Sequence, residues 1–458
     1  MSDVFDAGSP DTIAALATPE GAGGLAVVRL SGPRAHEIAT ALLSHEGPRA
    51  ELRSHRAFLA VPRCPRSRAE LDEALVLPMS APGTYTGEDT VEFHCHGGTV
   101  PARLVVEACL ELGARPAGPG EFTRRAFLSG RLSLDQAEAV ADLIAAESRL
   151  AAKGALGQLR GGFRRRLQSL EAPLLTLLAE LEGGLEFGEE AELNAPADRI
   201  VAALEAARAH VDELLAHARA GRQLREGVQV VLVGAPNAGK SSLFNALLGE
   251  SRALVDHEPG TTRDIVEARL RHRGCTFVLR DTAGLREDGG RVEAMGVSRA
   301  RDAAGSADLV LRVVDMSADV ETAPPGSTGA AATLDVGAKA DLVDAGDLAR
   351  VPSSFVVTSA RDGRGVSELK DAMHAAAHAD RLDAAAALGI VLNRRHVHRL
   401  QTFREDLAEV REAAEARAAQ EVVCSLLQAA LCGLGEITGR VFTEKLLGEV
   451  FSRFCVGK

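Results

Sequence analysis

Residues 228–248, V-Q-V-V-L-V-G-A-P-N-A-G-K-S-S-L-F-N-A-L-L, decide the fold of the middle of this chain. The apolar run Val228–Val233 reads as a strand, G-x-x-x-x-G-K-S occupies 234–241, and a helical pattern runs over Ser242–Leu248. Strand, glycine loop and helix in that order are the context a phosphate-binding loop needs, which a chance Gly-rich turn lacks. Backbone N–H groups of Asn237, Ala238, Gly239, Lys240, Ser241 and Ser242 then face phosphate oxygens at a helix N-terminus. Lys240 reaches the β- and γ-phosphates, and the Ser241 hydroxyl holds Mg²⁺. The chain is expected to bind a nucleoside triphosphate.

Downstream segments indicate which one. Asp281-Thr282-Ala283-Gly284 follows the apolar run Phe277–Leu279, as expected of an aspartate on the magnesium side and a glycine N–H at the γ-phosphate. In Gly260-Thr261-Thr262-Arg263-Asp264, Thr262 is placed to close on Mg²⁺. Ala338-Lys339-Ala340-Asp341 stands where GTPases usually carry N-K-x-D, and Thr358-Ser359-Ala360 matches the later loop that touches the base. The Asp341 carboxylate can accept from the guanine N1–H and exocyclic amine, a donor pair adenine does not present. Ala338 in place of asparagine should loosen the base and keeps an ATPase reading open. After D-T-A-G, many switch GTPases place a glutamine that orients water; here it is Leu285, so catalysis must come from elsewhere. Arg263 and Arg286 are possible fingers. Asn237 offers a second route by coordinating a monovalent cation beside the phosphates, unless it is simply a turn residue.

A chain of 458 residues should hold about three domains. Its net charge of −12 argues against broad nucleic-acid binding through bulk charge. Arg160-Gly161-Gly162-Phe163-Arg164-Arg165-Arg166 is a local basic patch, or else a solvated helix face. Seven cysteines without C-x-x-C spacing indicate neither a disulfide framework nor a zinc site. With no signal-peptide pattern or membrane-length apolar run, a soluble cytoplasmic protein that uses no membrane is expected.

Residues 228–370 alternate strands and helices, the signature of a doubly wound α/β domain with a mainly parallel sheet. Helical sequence flanks it. Ser133-Leu134-Asp135-Gln136 is a capping box opening a pattern to about Leu185; Ile200, Leu204, Val211 and Leu215 share a face of a second, to about Leu224; Leu382–Leu431 follows the α/β domain. Neither flank can bury its apolar stripe alone, which predicts one discontinuous helical domain with the P-loop domain inserted. The expected boundaries are 1–130, 131–223, 224–378 and 379–458, and the Ala/Gly/Pro-rich stretch Thr322–Gly337 reads as a loop. The first 130 residues form a separate α/β unit with strands at Asp11–Ala17 and Gly24–Leu30. Over Thr90–Gly97, Val91, Phe93 and Cys95 share one face and Glu92, His94 and His96 the other, a polar ligand wall or a metal row.

Five stretches remain: Asp11-Thr12-Ile13 with Ala17-Thr18-Pro19, Tyr85-Thr86-Gly87-Glu88-Asp89, His94-Cys95-His96-Gly97-Gly98, Pro119–Phe127 and the terminal Phe454-Cys455-Val456-Gly457-Lys458. Together they resemble the MnmE (TrmE) family of tRNA modification GTPases. The resemblance covers essentially the whole chain. It implies a homodimer, built through an N-terminal folate-binding domain, that forms a heterotetramer with the flavoprotein MnmG (GidA). Together they modify C5 of the tRNA wobble uridine by aminomethyl or carboxymethylaminomethyl addition. The one-carbon unit comes from a tetrahydrofolate derivative, 5-formyl- or 5,10-methylene-tetrahydrofolate. The resemblance carries folate contact to Arg29, Glu92, Arg131 and Lys458, cations suiting the glutamate tail and a carboxylate the pterin edge. It implies potassium activation through Asn237 and Thr261, with Asp256 and Glu258 as further K⁺ contributors, and a catalytic Glu293 that orients water indirectly. Cys455 is carried over as a reactive thiol, or as a small apolar residue packing the tail. A GTPase binding switch for ribosome or RNA assembly, without covalent modification, is the alternative; the N-terminal unit and the F-C-V-G-K tail favour the modifying enzyme.

Overall fold

The computed structural model describes residues 11–43, 52–187, 196–249, 266–281, 307–317, 332–348 and 351–458. The chain divides into two compact units, Met1–Ala141 with Gly435–Lys458, and Asp142–Leu434.

In the first unit β1 (Ile13–Leu16), β2 (Leu25–Ser31), β3 (Phe58–Ala60), β4 (Ala74–Met79), β5 (Thr90–His96) and β6 (Arg115–Pro116) form a sheet ordered β3-β4-β5-β2-β1-β6. β1 and β6 pair in parallel and the other neighbours antiparallel. Helices α1 (Ala35–Leu43) and α2 (Thr99–Glu111) join one face of this sheet in a single core with Val28, Leu30, Val91, Phe93 and Cys95. The alternation expected over β5 is present: Val91, Phe93 and Cys95 are buried, and Glu92, His94 and His96 are the more accessible set. Burial pushes the Cys95 thiol up to about 12. α3 (Glu121–Leu128) and α4 (Leu134–Ala145) pack with the last helix, Glu444–Phe451, through Phe127, Leu134, Leu447, Phe451 and Phe454.

In the second unit β7 (Val228–Val233), β8 (Val266–His272), β9 (Cys275–Asp281), β10 (Leu309–Asp315), β11 (Ala332–Ala338) and β12 (Phe355–Val357) form a sheet ordered β12-β11-β10-β7-β9-β8. All neighbours are parallel except β8 with β9. Helices α9 (Lys240–Leu248), α10 (Ala345–Leu348) and α11 (Val366–Ala376) belong to this domain. Around it lie α5 (Arg149–Leu159), α6 (Gly162–Phe187), α7 (Ala197–Ala216) and α8 (Ala218–Glu226), then α12 (Ala379–Leu388), α13 (Arg394–Glu415) and α14 (Gln420–Thr438). The two helical flanks do bury one another. Lys153 pairs with Asp383 at 2.8 Å, and the Val391 N–H donates to the buried Gln158 Oε1 at 3.1 Å. Phe163 packs on His396 with ring centres 5.1 Å apart. Gln420 Nε2 donates to the Leu181 carbonyl at 2.7 Å. The discontinuous helical domain with an inserted P-loop domain is therefore the observed architecture.

Three details differ from expectation. The pattern beginning at Ser133 is three helices, α4 to α6, because Ser148 caps α5 by accepting the Ala151 N–H at 3.1 Å. On α7, Leu214 is buried with Ile200, Leu204 and Val211, in place of Leu215. Within the stretch read as a loop, Ala332–Ala338 is an interior strand between β10 and β12. Its weak strand propensity is overridden by context. Asp335 takes two 2.6 Å hydrogen bonds from Arg312 of β10, and a Cβ on Gly337 would stand 2.6 Å from the Met316 sulfur, so only a small residue fits there. Among the described residues α14 is long and apolar enough to cross a membrane; 44% of its apolar window is buried within the structure.

Candidate functional site

The C-terminal ends of the parallel strands β7, β9, β10, β11 and β12 lie side by side, and nearly every nucleotide-site residue expected in the described part follows one of them. Register fixes this: Leu232 of β7 pairs with Asp281 of β9, Val233 with Arg312 of β10, and Asp315 of β10 with Ala338 of β11. In an open α/β sheet a ligand binds in the crevice outside this edge. The loop after β7 passes so close to β10 that a Cβ on Gly234 would stand 2.2 Å from the Val313 carbonyl oxygen. Asn237 is exposed at the crest of the loop in a left-handed conformation (φ 60°), and Ala238 is buried beneath it. The loop runs into α9, whose N-cap is Gly239; Ser241 and Ser242 lie in its first turn, both exposed. Lys240 Nζ donates to the carbonyls of Gly234 and Ala235 at 3.0 and 2.9 Å, so its ammonium curls over the loop mouth.

The segment after β11 closes the other side. Ala338 is buried, 3.5 Å from where a Cβ on Gly239 would sit, and the Lys339 stem lies 3.9 Å from the same point. With no asparagine here, the tie between the end of β11 and the phosphate loop is van der Waals contact. Lys339 Nζ bonds Asp315 Oδ2 at 2.6 Å. Burial would raise the Asp315 carboxyl, but the hydrogen bonds from Lys339 and Ser317 outweigh it and hold the group below the usual range. The fully buried Ser359 donates its hydroxyl to Asp341 Oδ1 at 3.0 Å, and the Ala340 N–H bonds the Thr358 carbonyl at 3.1 Å. Asp341 is thereby fixed, with its other oxygen 3.9 Å from Arg361 Nη1. The structure thus gathers Asn237, Ala238, Gly239, Lys240, Ser241, Ser242, Lys339, Asp341, Ser359, Ala360 and the Asp281 backbone at one sheet edge. Thr261, Thr262, Asp256, Glu258, Thr282, Ala283, Gly284 and Glu293 lie outside the described residues, as do Arg263, Leu285 and Arg286.

A second cluster lies in the first unit. Arg29 and Glu92 are register partners on β2 and β5, and Arg29 Nε donates to Glu92 Oε1 at 2.8 Å. The Arg29 guanidinium carbon lies 5.5 Å from the Phe122 ring centre and 5.9 Å from that of Tyr85. The terminal segment docks beside Phe122: the Gly120 N–H donates to the Cys455 carbonyl at 3.3 Å and the Phe122 N–H to that of Lys458 at 3.1 Å. Arg131 is exposed, donates to the Pro82 carbonyl at 3.3 Å, and packs near the Tyr85–Gly87 turn. Glu121 anchors the start of α3. Burial opposes its charge, yet hydrogen bonds from Arg115 and the Gly118 N–H keep its carboxyl below the usual range. Cys455 contributes its backbone to docking while its side chain is exposed; Phe454 does the packing expected of the cysteine.

The β5 histidines face carboxylates. Glu92 Oε2 is 3.1 Å from His94 Nε2, and Asp72 Oδ1 is 2.7 Å from His96 Nδ1. No cluster of three or more metal-ligating side chains occurs among the described residues. The hydrogen bond and charge of Asp72 raise the His96 pKa above its usual 6.5. The pair therefore favours folding below the unfolded-state pKa and loses that effect as pH rises through the folded one. Asp72→Asn should bring the His96 NMR titration midpoint down toward 6.5; an unmoved midpoint would refute the pairing.

The comparisons with known proteins agree with this geometry. A model of the TrmE GTP-binding protein N-terminus matches residues 12–131, and a model of the MnmE helical domain matches 134–455. The protein named tRNA modification GTPase MnmE from Synechococcus elongatus is 42% identical over 98% of this chain and 99% of its own length. Its Myxococcus xanthus namesake is 44% identical over 98% of this chain and 99% of its own. A third, from Thermus thermophilus, is 42% identical over the same shares. The solved G domain of the T. maritima FeoB iron transporter, 27% identical, covers 33% of this chain and 98% of its own at a TM-score of 0.24, too low to bear on the fold. With a family model over most of its length and full-length relatives above 40% identity, this chain belongs to the MnmE family of tRNA modification GTPases.

Proposed function

We propose that this chain is a potassium-activated GTP hydrolase that works with an MnmG-type flavoprotein to modify C5 of the tRNA wobble uridine with a folate one-carbon unit. The observation that carries the reading is the convergence of the phosphate loop, Lys339 and the Ser359-bound Asp341 at the C-terminal edge of one sheet. Lys240 leaves its two loop carbonyls for the β- and γ-phosphates, and Ser241 holds Mg²⁺ with Thr262. Asp341 accepts from the guanine N1–H and amine, with Ser359 and Ala360 against the base. Asn237, exposed on the loop crest, supplies an oxygen to K⁺ with Thr261, Asp256 and Glu258, and Glu293 orients water. K⁺ there offsets charge developing on the transferred phosphoryl group. Folate is held at the Arg29–Glu92 pair, with Lys458 and Arg131 toward its carboxylates and Cys455 as an exposed thiol beside it. Residues 1–130 form the folate-binding and dimerising domain, 131–223 and 379–458 the helical domain, and 224–378 the GTPase domain. Acting on tRNA, the homodimer works in the cytoplasm without a membrane.

GTP turnover in KCl should exceed that in NaCl at equal ionic strength by at least about tenfold, with ATP inert. Equal rates would remove the cation site and favour a binding switch. Asp341→Asn should weaken GTP binding by about 2–3 kcal/mol, roughly thirty- to a hundred-and-fiftyfold, through two lost charge-assisted hydrogen bonds. Unchanged affinity would refute the guanine contact. Loss of the wobble modification in a deletion strain tests the covalent role directly.

A further inference from the structure

We infer that an arginine-lined groove in the second unit holds the sugar–phosphate backbone of RNA, an inference that rests on the tRNA reading above. Gln229, Glu267, Arg269, Val278 and Arg280 line it from β7, β8 and β9, and register puts them on one sheet face: Gln229 pairs with Val278, Arg269 with Val278, and Glu267 with Arg280. The faces of a doubly wound sheet are ordinarily apolar and covered by helices. Here that face meets Arg222 and Arg225 of α8 and Arg394 at the first turn of α13 across a cavity of about 470 Å³. A second cavity, of about 340 Å³, shares those three arginines and continues past Arg219 and His398.

The charge is arranged for an anion. Five arginines and two carboxylates, Glu226 and Glu267, line the larger cavity in a chain of net charge −12. Four of the arginines are oriented by carboxylates: Arg222 by Asp308 at 2.5 Å, Arg225 by Asp142 at 2.8 Å, and Arg269 by Glu147 and Arg280 by Glu267 at 2.6 Å each. Those side chains remain 25–47% exposed, and five donors on each guanidinium leave capacity beyond the pair. Arg394 is exposed and has no ion-pair partner among the described residues. Gln229 separates RNA from a simple anion: its side chain lines the same cavity, and its buried Oε1 lacks a hydrogen-bond partner among the described residues. Phosphate offers only acceptors, whereas a ribose 2′-hydroxyl beside a phosphate offers the donor this atom lacks. β8 follows G-T-T-R-D in the sequence and β9 ends at the aspartate of D-T-A-G, so RNA seated here would rest on the strands that adjoin both GTPase segments. The Arg160–Arg166 patch is a weaker candidate, with Arg166 paired to Glu213 and Arg165 bonded to the Arg160 carbonyl on a helix surface.

The test is fluorescence anisotropy of a labelled tRNA transcript against the full chain, across a salt series of about 50–200 mM KCl. Arg394→Glu should weaken binding roughly five- to tenfold and lower the salt slope by about one, and Arg269→Gln/Arg394→Gln should lower it further. Arg164→Glu, an equal charge change outside the groove, should have little effect, and DNA of the same sequence should bind less tightly than RNA. Wild-type affinity and slope in both groove variants, or an equal loss in Arg164→Glu, would overturn the site while leaving the tRNA reading intact. Tripolyphosphate binding lost in the groove variants with tRNA binding unchanged would make it a small-anion site. No tRNA binding by the wild type would overturn the reading itself and the inference with it. Should Arg394→Glu melt early, Arg394→Gln decides.

Discussion

Lys240→Ala should leave the chain folded and abolish GTP binding, raising Kd by about three orders of magnitude. The ammonium sits over the phosphate loop, bonded to the carbonyls of Gly234 and Ala235 at 3.0 and 2.9 Å. These are partners water can replace, because the side chain is only half buried. Truncation therefore costs the fold little. Binding is different: the lysine is the one full positive charge in the loop, and it meets two phosphates whose repulsion the backbone N–H groups offset only in part. Losing two charge-assisted contacts of about 2 kcal/mol each gives roughly a thousandfold. Titration calorimetry with GTP, beside a thermal melt, separates the effects. Binding within about threefold of wild type, under 1 kcal/mol, would refute the assignment of the loop. An early melt would show that its carbonyls depend on the lysine.

The loop was legible because its cause is local: an apolar run, two glycines and a helix start follow one another directly between Val228 and Leu248. The same holds for β5, where alternation alone separates buried Val91, Phe93 and Cys95 from Glu92, His94 and His96. Ala332–Ala338 was not legible, because what makes it a strand belongs to its neighbours: Arg312 neutralises Asp335 from β10, and Met316 packs over the small residue at 337. The break between α4 and α5 was readable in principle, since Ser148 is a favoured cap, but a continuous Ala/Leu pattern masks it. The arginine groove is further from reach, its residues running from Arg222 to Arg394 and coming together only where two helices meet one face of the sheet. At the candidate site, the phosphate loop and Asp341 were readable from motifs. That Ser359 holds Asp341, and that Arg29 stacks on Phe122, depends on contacts between distant segments.

Gly457→Ala should release the C-terminal tail from the first unit while leaving GTP binding intact. Gly457 sits at φ +91°, where any side chain is strained, and a Cβ there would stand 2.0 Å from the Leu16 carbonyl oxygen and 3.0 Å from the Ala17 Cα. The obstruction is backbone of β1 and its exit, so no rotamer change relieves it. Keeping the tail docked would cost about 3 kcal/mol or more in strain and overlap. What opposes release is small: two backbone hydrogen bonds, Gly120 N–H to Cys455 and Phe122 N–H to Lys458, worth about 1 kcal/mol each, and the one-residue bridge of Val456 to Pro119. Phe454 packs in its own cluster with Phe451 and can stay, so the segment should peel from Cys455 onward. Hydrogen exchange then reads the result, the amides of Gly120 and Phe122 losing protection together while those of β7 keep theirs. Val456→Ala, at a side chain 54% exposed, is the matched control and should change neither. Undiminished protection at Gly120 and Phe122 in Gly457→Ala would mean that β1 yields to the methyl group. A folate analogue should bind weakly to Gly457→Ala, because the tail that docks Lys458 on Phe122 is the part that is lost.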